Sequence, residues 1–199
     1  MRAIDIANMA IGYLGGNRIT SLEDESEEAE LIQVYYESAR DFCLESRAWT
    51  FAAKRAELAP LAEAPAFGWS AAFLLPADTM VVREVSRLST MSYPEEYERE
   101  ADTLLANASS LYIKYTTNWI HETKWSKQFC IAVAHKLAEF MCGPITENRA
   151  LKKDLALLSE AYLEVGGATD GMQASPRQAK AYRLKRARYT GRMGLGGSI

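Results

Sequence analysis

No acidic side chain occurs in the last 29 residues of this 199-residue chain. Seven basic ones do: Arg177, Lys180, Arg183, Lys185, Arg186, Arg188 and Arg192. Removing them from the 23 Lys+Arg leaves 16 basic against 26 acidic residues over positions 1–170, a formal charge of −10. An acidic body is thus joined to a basic arm, and the sequence pI near 5.6 conceals it. The arm has too few apolar residues to build a core, so it is expected to order only against something else. This favours a docking protein over a self-contained enzyme. A duplex-coating protein would be basic over its folded body. Here the body repels phosphate, and only the arm attracts it.

Other absences narrow the chemistry. Cys43, Cys130 and Cys142 form an odd set without CxxC spacing, which removes the ligand pattern of a structural zinc site. Their placement in helical segments predicts reduced, buried thiols and suits synthesis in a cytosol. There are two histidines. His121 lies beside Glu122 in a strand-to-helix connection. His135 and Glu139 stand one helical turn apart, but HExxH is missing and a third ligand is not evident. A helix-surface histidine beside a carboxylate is the reading for His135. GxSxG and Walker patterns are absent. No metal and no cofactor is expected. Carboxylate pairs are plentiful, and nothing in the sequence singles out the acid and partner that a glycosidase needs. Asp5 falls where a signal peptide requires apolar residues, and no later stretch reads as a membrane span of ~20 apolar residues. Neither export signal nor membrane anchor is expected.

What is present reads as α+β, mainly α: a helical bundle over residues 1–170 with a small antiparallel β insertion at about 49–118, then the arm at 171–199. Ile4, Ala7, Ile11 and Leu14 predict a first amphipathic helix, stopped by Gly15, Gly16 and Asn17. The run Glu23, Asp24, Glu25, Glu27, Glu28, Glu30 predicts a charged first turn, with Asp24 or Ser26 as N-cap of a helix over 27–47. It lacks the alternating spacing and turn glycine of a calcium loop. The wide stripe of Leu31, Ile32, Tyr35, Tyr36, Ala39, Phe42 and Cys43 predicts contact on two sides.

Trp49, Thr50 and Phe51 favour β structure, and the prolines and glycine of 60–68 predict an irregular connection. Strands are expected over 79–85 and 111–117, with a short pair around Tyr97 and 103–105. Helix returns over 124–141 on the stripe Cys130, Val133, Ala134, Leu137, Met141, ended by Gly143 and Pro144. A last helix over 147–165 places Leu151, Leu155, Leu158, Tyr162 and Val165 on one face, closed by Gly166 and Gly167. Trp49, Phe51 and Trp69 belong to an aromatic cluster with Phe67 and Phe73 that reads as core or interface anchors, and these three are expected at a subunit interface. Trp119 and Trp125 are expected to pin the sheet to the bundle. In the arm, Tyr182 and Tyr189 stand among the arginines, a mixture that suits protein interfaces and nucleic acid alike.

A family resemblance rests on several segments. They are Ala7-Asn8-Met9-Ala10-Ile11-Gly12-Tyr13-Leu14-Gly15-Gly16 with Ile19-Thr20-Ser21-Leu22-Glu23-Asp24, and Arg47-Ala48-Trp49-Thr50-Phe51 with Lys54-Arg55-Ala56. Phe67-Gly68-Trp69, Leu75-Pro76-Ala77-Asp78, Gly143-Pro144 and Val165-Gly166-Gly167 follow in order. Over about residues 4–167 the chain resembles the tail tubular protein A family, the head-to-tail adaptors of short-tailed bacteriophages. The resemblance implies a structural connector in the virion and no required catalytic residue. It implies a homo-oligomer, a dodecameric ring beneath the portal protein that receives the tail nozzle protein and lets genomic DNA pass without sequence-specific binding. In that setting the portal-binding element is the arm, through Arg177, Lys180, Tyr182, Arg183, Lys185, Arg186, Arg188, Tyr189 and Arg192. Its basic, glycine-ended sequence departs most from the family pattern. Two other function classes stay open: a virion-associated peptidoglycan hydrolase and a small nucleic-acid-binding protein.

Overall fold

A computed structural model describes residues 1–146 and 148–173. The protein is α+β and mainly α. Among the described residues there are four α-helices and two three-stranded antiparallel sheets. The arm residues from Arg177 to Arg192 lie outside the described residues.

Helix α1 (Ala3–Leu14) buries Ile6, Ala7, Ala10, Ile11 and Leu14. Gly15 ends it in the left-handed conformation at φ +76°, which glycine adopts without the Cβ penalty. Helix α2 (Glu27–Ser46) starts at Ser26, whose hydroxyl accepts from the Ala29 amide at 3.3 Å. The acidic run at its start serves the backbone: Asp24, ahead of the helix, accepts from the Thr20 and Ser21 amides, and Glu28, in its first turn, from the Asn17 amide. These bonds hold both carboxyls below their ordinary range, the Ser21 amide acting most on Asp24 and the Asn17 amide most on Glu28.

Helix α3 (Lys127–Thr146) is the hub of the bundle, packing against α1, α2 and α4 (Arg149–Gln173). By length and composition α3 could match a membrane span, but 61% of its most apolar window is buried inside the protein. Its apolar character thus follows from having neighbours on several sides. The break expected at Gly143 and Pro144 does not occur, because Pro144 lies within the last turn of α3. The Thr146 hydroxyl bonds the Cys142 carbonyl at 3.1 Å, and Asn148 then caps α4 through the Ala150 and Leu151 amides.

The stop expected at Gly166 and Gly167 is also corrected, since α4 runs on to Gln173. The pair serves close packing. A Cβ on Gly166 would lie 3.1 Å from the Gln128 Cβ and 3.4 Å from the Trp49 ring, and one on Gly167 2.7 Å from the Arg47 Cδ. Just beyond, the buried Asp170 carboxylate accepts from the Thr50 amide and hydroxyl, both at 2.6 Å. That clasp extends the ordered helix past its glycines. The face of α4 is rotated from the expected stripe. Leu155, Ser159 and Leu163 are buried, while Leu158 and Val165 are exposed. Ser159 is accommodated because its hydroxyl donates to the Ala132 carbonyl at 3.1 Å.

The β insertion forms a second lobe with its own core of Leu58, Phe73, Leu75, Val85, Leu104, Ala106, Leu111, Ile113 and Tyr115. One sheet has the order β1 (Ala53–Leu58), β6 (Leu111–Thr117), β3 (Thr79–Ser86); the other is β2 (Ala71–Leu74), β5 (Thr103–Ala106), β4 (Glu98–Glu100). Trp49, Thr50 and Phe51 are not a strand but the bend and turn that lead into β1. Arg83 joins the lobe to the bundle. Its guanidinium donates to the Leu44, Glu45 and Arg47 carbonyls at 3.1, 3.0 and 2.7 Å and to the Thr116 hydroxyl at 2.8 Å. A cation is thereby placed on the unpaired carbonyls at the C-terminus of α2.

Asp78 closes the lobe at the other side, accepting from Lys54 Nζ at 2.6 Å, the Thr117 hydroxyl at 2.9 Å and the Tyr115 hydroxyl at 3.1 Å. Lys54 above all, then the two hydroxyls, holds its carboxyl below the usual range. The folded state therefore favours the ionised group. That stabilisation is complete above the unfolded carboxylate range and is lost as the pH falls through the lower folded value. Asp78→Asn is expected to lower stability by about 1–2 kcal/mol at neutral pH. In urea unfolding the variant and the parent should converge as the medium becomes acidic. A difference that stays constant with pH would refute this assignment.

Candidate functional site

Of the three aromatics assigned to a subunit interface, Trp49 is corrected. It is 1% exposed, with ring centroids 4.9 Å from Phe129 and 5.6 Å from Phe51 and its indole N–H on the Cys43 carbonyl at 2.9 Å. It belongs to the core because the chain turns inward between α2 and β1, where the glycines of α4 leave room for an indole. Phe51 is half-buried and turned toward the same cluster, 5.1 Å from Phe129. Trp69 alone lies in a surface groove.

That groove is built by the connection between β1 and β2. Pro60 pairs with Phe73, and the Leu61 amide donates to the Ala72 carbonyl at 2.7 Å. At the other end the Ser70 amide donates to Asn107 Oδ1 at 2.9 Å. Gly68, at φ +81°, takes a left-handed turn between these anchors. The Trp69 indole N–H donates to Glu98 Oε2 at 3.0 Å. The neighbouring Phe67 is left 88% exposed. The resulting cavity, about 600 Å³, has Leu61, Phe67, Trp69 and Leu105 as apolar walls. Among the described residues, every charged one lining it is acidic: Glu63, Glu98 and Glu100. Arg99, between two of them, is engaged with the Ala101 and Met80 carbonyls.

A second groove, about 650 Å³, lies on the bundle between α2 and α4. Phe42, Leu157, Ala161 and Leu163 line it, with Glu160 and an Arg47–Glu164 pair at 3.8 Å. The buried Lys136 ammonium lies 4.0 Å from the Phe42 ring centroid and 2.7 Å from Glu139 Oε2. Phe42 is thus held in a cation–π contact while part of its ring remains exposed. The two grooves share no residue and stand on different lobes.

No protein-family model matches the chain, and no curated protein matches it.

The histidines do not form a site. His135 is buried rather than on a helix surface, with ring centroids 4.2 Å from Tyr13 and 5.3 Å from Tyr162 and Nδ1 2.9 Å from the Ile131 carbonyl. Glu139, its suggested co-ligand, is taken by Lys136. Among the described residues, no group of three or more His, Cys, Asp or Glu is arranged to hold a metal. The three cysteines are free and buried. Burial pushes the Cys43 thiol up to about 12 and raises that of Cys130, which keeps both as thiols rather than nucleophilic thiolates. Of the two tryptophans expected to pin sheet to bundle, Trp125 is buried against Phe129, while Trp119 is 82% exposed.

The grooves had only partial signals in the sequence. Phe67 and Trp69 belong to the aromatic cluster of the sequence, whereas nothing there singles out Leu61. The carboxylates of β4 and the pairing of Phe42 with Leu157 arise from tertiary contacts.

Proposed function

We propose that the chain is a structural head-to-tail adaptor of a phage virion. Copies form a ring beneath the portal protein, link it to the tail nozzle protein and enclose the DNA channel. The observation that carries this reading is the pair of surface grooves, each with apolar walls beside charged groups, on separate lobes. A closed ring grows by heterologous contacts, in which one face meets a different face of the next copy. Two distinct grooves on one chain supply faces of that kind. Further support comes from the residues behind the family resemblance, several of which hold this fold: Trp49 against Gly166, and Asp78 as the clasp of the β lobe. The charge of −10 over residues 1–170 suits a conduit, since like charge keeps DNA from adhering to the wall.

Electron microscopy of the chain mixed with its cognate portal tests the proposal. A closed ring of added density at one end of the portal is expected, with both grooves at subunit contacts. Bare portals at saturating chain concentration would overturn it. A bore lined mainly by Arg and Lys would remove the argument from charge.

A further inference from the structure

The acidic groove of the β lobe matches one cationic segment of known sequence, the chain's own arm. We propose that in the free protein the distal part of the arm, residues 183–192, docks in the groove formed by Leu61, Glu63, Phe67, Trp69, Glu98 and Glu100 of the same molecule.

Charge is the first argument. Among the described residues, the groove has three lining carboxylates and no basic lining residue. The arm has seven basic side chains and no acidic one. The bundle groove is a poorer fit, because Arg47 already stands in it against Glu164. Apolar character is the second. Tyr182, Leu184 and Tyr189 alternate with the arm's cations, and Phe67 and Leu61 offer exposed surface beside the carboxylates. Ion pairs at an open groove contribute little singly, so apolar contact has to add to them.

Reach is the third argument. Asp170 is bonded to Thr50, which fixes the root of the arm beside the start of β1. Eleven residues lead from Thr50 to Leu61, at most about 40 Å of chain. Lys185 lies twelve residues past Gln173, a stretch that can span about 40 Å, and residue 192 extends the reach to about 60 Å. The arm therefore reaches its own groove, and a tether of this length gives an effective concentration on the order of millimolar. At micromolar protein the intramolecular contact prevails over one with a second copy.

If the adaptor reading is also right, on which this consequence rests, the arm covers a contact face until the portal takes it. Ring closure would then follow portal capture and not precede it.

Zero-length carbodiimide cross-linking of the full chain at low micromolar concentration, read by mass spectrometry, tests the inference. Within the monomer, Lys185 should be joined to Glu63, Glu98 or Glu100. In about 0.5 M salt, where charges are screened within a few Å, the yield should fall sharply. A Leu61→Ala/Phe67→Ala variant keeps all three carboxylates, and its yield should fall about fivefold through lost apolar contact. Links from Lys185 mainly to Glu160 or Glu164, links only between chains, or an unchanged yield in the variant would each overturn the inference. A chain that gives the intramolecular links yet never binds portal would uphold it while sinking the adaptor reading.

Discussion

Trp49→Ala is expected to destabilise the protein by about 3–5 kcal/mol. That is a large share of the roughly 5–15 kcal/mol that holds a domain of this kind together. The side chain is fully buried where three helices and the chain's entry into β1 converge. Phe129 of α3 packs edge-on against it, Phe51 stacks beside it, and Gly166 of α4 comes close enough that a Cβ there would stand 3.4 Å from the ring. Alanine would leave a cavity whose walls belong to different elements, and helix backbones close such a space poorly. The hydrogen bond is the smaller part of the loss, since the Cys43 carbonyl also accepts from the Ser46 hydroxyl at 2.7 Å. Trp49→Phe should therefore recover most of the stability. Urea unfolding of the two variants decides the matter. A loss below about 1 kcal/mol for the alanine variant would show that the indole is not a central packing element.

Much of this fold was legible because local pattern and tertiary demand agree. In β6, Leu111, Ile113 and Tyr115 alternate with Tyr112 and Lys114, and the buried side is the alternating one. Helix α1 and the Ser26 cap follow from spacing and from side-chain oxygen chemistry in the same way. The failures share a cause, which is that contact distant in sequence outweighs local preference. Strand β1 carries Lys54, Arg55 and Glu57, residues that suit a helix. It is extended because every residue from Ala53 to Leu58 pairs with β6, and the Tyr112 hydroxyl bonds Glu57 across that pair at 2.8 Å. Gly166 and Gly167 carry the composition of a helix stop. The same lack of a side chain lets α4 lie against Trp49 and Arg47, and the Asp170–Thr50 clasp lies beyond them.

The candidate site divides along the same line. Nothing in local sequence separates Trp49, which faces the core, from Phe67, which faces solvent. Their difference lies in what the neighbouring elements bring. Gly166 makes a pocket for one, and the anchored Leu61–Ala72 and Ser70–Asn107 contacts hold the other at a loop tip.

Deleting residues 176–199 is expected to abolish attachment to the cognate portal, a loss of 100-fold or more in affinity, on the order of 3 kcal/mol. It should leave the rest folded. The fold has a physical reason to survive. Asp170 lies upstream of the cut, and its bonds to Thr50 remain, as do the contacts of Gly166 with Trp49 and Gln128. The binding loss follows from charge. All seven basic side chains that follow Asp170 lie within the deleted stretch, and the remainder is left at −10 with no cationic extension to offer. A shorter deletion, 193–199, removes none of those seven and should bind as the full chain does. Pull-down on portal with matched thermal melts separates the two effects. Unchanged capture of the 1–175 protein would refute the arm as docking element, whereas lost capture with an unchanged melting temperature is the outcome expected. The dependence on salt adds a discriminating reading. If the arginines and lysines carry the contact, affinity of the full chain should weaken as ionic strength rises. A salt-insensitive contact would move the weight to Tyr182 and Tyr189, the aromatic side chains set among those cations.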